Sequence, residues 1–130
     1  PTLISAMQNS SENEREKIVR AFGSIGLVAH PYLISALSDT SKNVQLAALQ
    51  GLALDRSETL MVKLISMAQD PDPDVRLAAV DAMQRFSDGR VVAPLAAALE
   101  DDDSRVSRQA KRSLDHLESV VARKGTSSDQ

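Results

Sequence analysis

Apolar residues recur along this 130-residue chain in a pattern that copies itself. Leu3-Ile-Ser-Ala-Met and Leu33-Ile-Ser-Ala-Leu are nearly identical, and Leu64-Ile-Ser-Met and Leu95-Ala-Ala-Ala-Leu follow at spacings of 30, 31 and 31 residues. Further columns keep the same register: Asn9, Asp39, Asp70 and Asp101; Ile18, Ala48, Ala79 and Ala110; Phe22, Leu52, Met83 and Leu114. Alignment of so many columns over four copies identifies an internal repeat.

Each copy predicts two helices. The first is short and apolar, as in Val92 to Leu99. The second, Asp74 to Phe86 in the third copy, carries Val75, Ala79, Ala82, Met83 and Phe86 on one stripe of period near 3.6. Ser11, Ser41, Asp72 and Asp103 share a column just before these second helices, and each side-chain oxygen can accept a free amide of the first turn. Ser11 with Glu14 makes a capping box, and Pro73 follows Asp72 at the first helical position. Gly23, Gly26 and Gly89, with Ser57 and Asp88, mark the turns between copies. No stretch alternates apolar and polar residues, so no β-strand is expected.

A helix pair of this length cannot enclose its own apolar face, and stacking one pair on the next does so. The expected fold is an all-α superhelix, an α-solenoid of about four helical pairs, with the second helices lining its concave side. The repeats fall at about 1–26, 27–56, 57–88 and 89–117. Residues 118–130 form a C-terminal extension whose last part, from Gly125, has no apolar residue to hold it and is expected to fray.

Composition narrows the picture. The chain is 42% hydrophobic and 25% charged, a balance suited to a folded protein, while aromatic residues make up only 2%, so aliphatic and small side chains must build the core. There is no cysteine, hence no disulfide, thiolate metal site or cysteine nucleophile. No apolar run approaches the roughly 20 residues of a membrane span. A cytoplasmic protein without membrane contact is the expectation. A net charge of −3 disfavours general nucleic-acid binding.

The run Asp70-Pro-Asp-Pro-Asp-Val-Arg76-Leu-Ala-Ala-Val-Asp-Ala-Met83, followed by Asp88-Gly-Arg-Val-Val-Ala-Pro-Leu95, closely resembles the HEAT repeat. It is most similar to the short bacterial and archaeal subtype named after phycobilisome-lyase subunits. The resemblance covers roughly residues 1–117 and is loosest in the first copy, where Glu14 stands for the usual valine. It implies a helical-pair solenoid that binds other proteins along its concave groove. It also implies a ladder of bonds between adjacent repeats, built from the columns of Asp70 and Arg76. The other copies carry Asn9 with Arg15, Asp39 with Gln45, and Asp101 with Ser107, so only the third keeps both charges.

The ends differ. Arg108, Gln109, Lys111 and Ser113 replace Leu77, Ala78, Val80 and Ala82 of the third copy, the polar substitution expected of a terminal cap facing water. The abrupt start at Pro1 suggests the C-terminal part of a longer chain, of unknown oligomeric state.

Catalytic signatures are missing. His30 and His116 occupy different repeats and different columns. A HEAT-like metal-dependent hydroxylase resembles this architecture, but its repeated His-Glu pairs have no counterpart here. The motifs of serine hydrolases, phosphate loops and EF-hands are also absent. Helix capping and solvation account for Asp101 to Asp103 and for Asp70, Asp72 and Asp74. No catalytic residue, cofactor or metal is expected.

Two surfaces stand out. Leu46 and Leu77, with Gln50, Asp81 and Arg85 beside them, would give an apolar strip with a polar rim on the concave side, the composition of a protein-binding surface. Packing of both leucines on a neighbouring helix is the competing reading. Arg105, Arg108, Lys111 and Arg112 form a candidate basic patch, with Arg105, Arg108 and Arg112 on one face of the last helix. The leading expectation is a non-catalytic scaffold that binds a protein partner on the concave face. A subunit of a bilin lyase or related chromophore-handling enzyme is the alternative, and nucleic-acid binding through the basic helix a weaker one.

Overall fold

The computed structural model describes residues 11–23 and 30–128. Seven α-helices and one 3-10 turn are present among the described residues: α1 (Glu12–Gly23), α2 (His30–Ala36), α3 (Lys42–Gly51), α4 (Glu58–Met67), α5 (Pro73–Met83), the 3-10 turn Gly89–Val91, α6 (Val92–Ala98) and α7 (Ser104–Ser128). No strand occurs among them. The fold is an all-α helical repeat. The first helix of the first copy, with Leu3 to Met7 and Asn9, lies outside the described residues, as does the turn at Gly26. The chain forms two compact units, residues 1–63 and 64–130, divided within α4.

In the first unit α1 packs on α3, and α2 packs on both. Val19, Phe22, Leu33, Leu37, Val44, Ala48 and Leu52 fill its interior. Phe22 stacks on Tyr32, with ring centroids 5.2 Å apart. In the second unit α7 packs on α5 and α6. Val75, Ala79, Met83, Phe86, Leu95, Val106 and Ala110 are buried there. The columns explain this arrangement: Leu33, Leu64 and Leu95 are all fully enclosed, as are Ala48, Ala79 and Ala110. Each enclosed leucine contributes about 1.5–3 kcal/mol, while the alanines let second helices approach closely.

The aspartate column turns the chain between the two helices of a repeat. Asp39, Asp70 and Asp101 accept the backbone N–H of Ser41, Asp72 and Asp103 at 2.8, 2.8 and 2.9 Å. The next helix is then capped. Asp72 accepts from Asp74 N and Asp103 from Arg105 N, both at 2.8 Å, and Ser11 accepts from Glu14 N at 3.3 Å. Ser57, expected only to mark a turn, caps α4 by accepting from Leu60 N at 3.2 Å. Ser41 departs from its column: it has the extended backbone of a cap, but its hydroxyl is buried and makes no hydrogen bond.

One further expectation changes. Ser113 does not face water as a terminal-cap residue; it is fully buried, and its hydroxyl donates to the Val80 carbonyl at 3.1 Å. Val80 lies in the last turn of α5, where carbonyls have no partner inside the helix. Ser113 therefore ties α7 to α5. In the extension, α7 continues to Ser128.

Candidate functional site

Arginine and aspartate columns join successive repeats within each unit. Arg15 donates from Nε and Nη2 to Asp39 at 2.9 and 3.2 Å. Arg76 does the same to Asp101 at 2.9 and 3.1 Å, and its Nη1 donates to the Asp70 and Pro71 carbonyls. This corrects the within-copy count of charges. Arg76 touches Asp70 only at the backbone, and a rung needs the arginine of one copy with the aspartate of the next, so Arg15 and Asp39 make one although neither copy keeps both charges. The Arg76 hydrogen bonds hold the Asp101 carboxyl below its ordinary value against the cost of burial. Gln45, in the arginine column, turns its amide to the Asp39 carbonyl at 2.8 Å.

The candidate partner-binding residues fall into two groups. Leu46 and Gln50 lie one turn apart on α3 in the first unit, with Leu46 half-buried and Gln50 exposed. Gln50 accepts from Arg20 Nη1 at 3.3 Å, and Arg20 also pairs with Glu16. Leu77 and Asp81 lie one turn apart on α5 in the second unit, again half-buried and exposed. Asp81 accepts from Gln84 Nε2 at 3.1 Å. Arg85 lies beyond α5, and its Nε donates back to the Ala82 carbonyl at 3.2 Å. Leu46 and Leu77 are thus neither core residues like Leu49 and Val80 nor freely solvated.

The basic patch on α7 is narrower than its sequence. Arg105 is matched by Asp74 at 2.9 Å and Asp103 at 3.0 Å. These hydrogen bonds raise the Arg105 pKa and lower that of Asp103 to about 2. Lys111 sits 3.6 Å from Asp115. Arg108 and Arg112 are exposed, and among the described residues they bond only to neutral oxygens, those of Ser104 and Gln109.

One polar pair escaped the sequence pattern. His30 Nδ1 lies 2.8 Å from Asp55 Oδ2, with Asp55 buried and His30 nearly so. Burial opposes the Asp55 charge, but hydrogen bonds from Ser57 and His30 outweigh it and hold the carboxyl below its ordinary value. Nothing in the spacing of a lone histidine and a turn aspartate announces this contact. His116 is exposed on α7, as expected. Among the described residues no group of three or more His, Asp or Glu side chains is placed to hold a metal ion, and no helix is long and apolar enough to cross a membrane.

No protein of curated function matches the chain. A family model described as HEAT repeats matches residues 30–115, which run from the start of α2 well into α7. That match spans the three copies whose helix pairs are described in full, and by it the chain belongs to the HEAT-repeat family.

Proposed function

We propose that this chain is a non-catalytic interaction module whose protein partner docks on the second helices of its repeats. HEAT repeats commonly mediate protein–protein interaction, and the family is generally non-catalytic. The observation that carries the reading is the state of Leu46 and Leu77. At one repeat position both are leucine, and each is only half-buried. A solvated face does not call for leucine, and a packed one would have buried it. Gln50 and Asp81, exposed one turn away, supply the polar rim of such a surface. The Asp-Pro-Asp-Pro-Asp-Val-Arg run supports placing the chain in the short bacterial and archaeal subtype.

The test is affinity capture with the chain and with a Leu46→Arg, Leu77→Arg variant, each first shown folded by circular dichroism. A protein retained by the first and lost by the second supports the reading. Equal retention by both overturns it.

A further inference from the structure

The partner's chemistry is written on α7. In α1 the columns of Leu77 and Asp81 hold Glu16 and Arg20, which close on each other at 2.9 Å. In α7 the same columns hold Arg108 and Arg112, two cations one turn apart. Like charges at that spacing weaken a helix, and among the described residues neither meets a carboxylate. Most other arginines differ: Arg15, Arg20, Arg76, Arg90 and Arg105 each have a carboxylate at 2.9 Å, while Arg56 caps the carbonyls of Ala53 and Asp55. Even Arg105, one turn before Arg108, is matched by Asp74 and Asp103.

We infer that Arg108 and Arg112 receive carboxylate side chains of an acidic peptide segment, with an aliphatic residue of that segment meeting Leu77 on the adjoining α5. This rests on the second helices being the interaction face. Each guanidinium has five donors in a planar fork suited to a carboxylate, and the one bond each makes among the described residues, from Arg108 Nε to the Ser104 carbonyl and from Arg112 Nη1 to Gln109 Oε1, leaves most of that fork to solvent. A nucleic-acid backbone fits less well. Two cations neutralise few phosphates, and Asp81, Asp115 and Glu118 on the same two helices are exposed and would repel a continuous phosphate chain. A short acidic segment meets the cations and passes the carboxylates.

The experiment measures fluorescence anisotropy with a labelled short peptide of Asp and Glu around one Leu, and with a labelled DNA duplex. The proteins are the parent chain, Arg108→Gln with Arg112→Gln, Leu77→Asn, and Arg108→Glu. The parent is expected to bind the peptide more tightly at low salt than at high salt. The double glutamine variant should lose about tenfold in affinity, and Leu77→Asn should weaken binding without changing its salt dependence. Arg108→Glu should lose the peptide yet melt above the parent, because it recreates the Glu16–Arg20 arrangement. An unchanged peptide affinity in the double variant overturns the inference, and if Leu77→Asn still weakens binding the interaction face itself survives. Loss in the double variant with full binding by Leu77→Asn keeps the charge site and overturns the leucine face. Peptide ignored by the parent, or DNA held more tightly than peptide, also overturns the inference.

Discussion

Arg76 and Asp101 are 25 residues apart in sequence, and their side chains meet through two parallel N–H···O bonds of 2.9 and 3.1 Å. The same guanidinium spans the turn carbonyls of Asp70 and Pro71. A lysine could supply the charge but not this fork. Arg76→Lys should therefore recover little of what Arg76→Ala loses, about 1–3 kcal/mol for charge-assisted bonds that are only partly shielded from water. Urea unfolding of the two variants beside the parent measures the difference.

Ser113 is small enough to be enclosed and polar enough to serve the Val80 carbonyl. Ser113→Ala removes that donor and should cost about 1–2 kcal/mol, whereas alanine at the neighbouring exposed Lys111 should change stability by less than about 0.5 kcal/mol. Thermal melts of the two variants separate a buried bond from a solvated cap.

Stability should fall in acid through Asp55. Its folded-state carboxyl lies below the ordinary value, so its contribution is complete above about pH 4 and is lost as pH drops through the folded value. Asp55→Asn should lower stability at neutral pH and flatten the acid limb of a stability-versus-pH curve. An acid limb as steep as the parent's would assign acid unfolding to other carboxyls.

Leu46 and Leu49 lie on the same helix at different depths, Leu46 half-buried and Leu49 8% exposed. Leu49→Arg should unfold the chain or cost several kcal/mol, because the charge has no partner inside. Leu46→Arg should cost under about 1 kcal/mol. Circular dichroism melts decide it, and equal losses would make Leu46 a packing residue and remove it from the proposed binding face.

Ser41→Asp tests the cap of the Ser11, Ser41, Asp72 and Asp103 column that does not close. Aspartate closes this cap at Asp72 and Asp103, so the variant should gain about 0.5–1 kcal/mol, read as a higher melting temperature.

Much of the architecture was legible because repetition multiplies weak signals. One stripe such as Val75, Ala79 and Met83 suggests a helix face; the same stripe in register across copies fixes which residues are enclosed. Caps were readable where aspartate supplied them, since only the adjoining amide has to be in reach. Ser113 was misread because polarity in a sequence says nothing about depth, and its burial depends on where α5 happens to end. The direction of the arginine rungs was hidden by the length of that side chain, which reaches past its own repeat. The His30–Asp55 contact belongs to neither periodicity, so no column could show it. At the candidate site, position along the helix was readable, but the degree of exposure of Leu46 and Leu77 required their neighbours.

The aspartate column has a bearing on how such chains grow. Asp39 and Asp101 bend their own repeat and receive the arginine of the one before, so one copied segment carries both its internal hinge and a socket for its predecessor's plug. A duplicated segment that also keeps arginine in its plug column, as the third copy does at Arg76, arrives with its fittings on either edge. Lengthening an array then requires no new matching surface, and the second-helix positions that make no joint are left free to diverge toward whatever they bind.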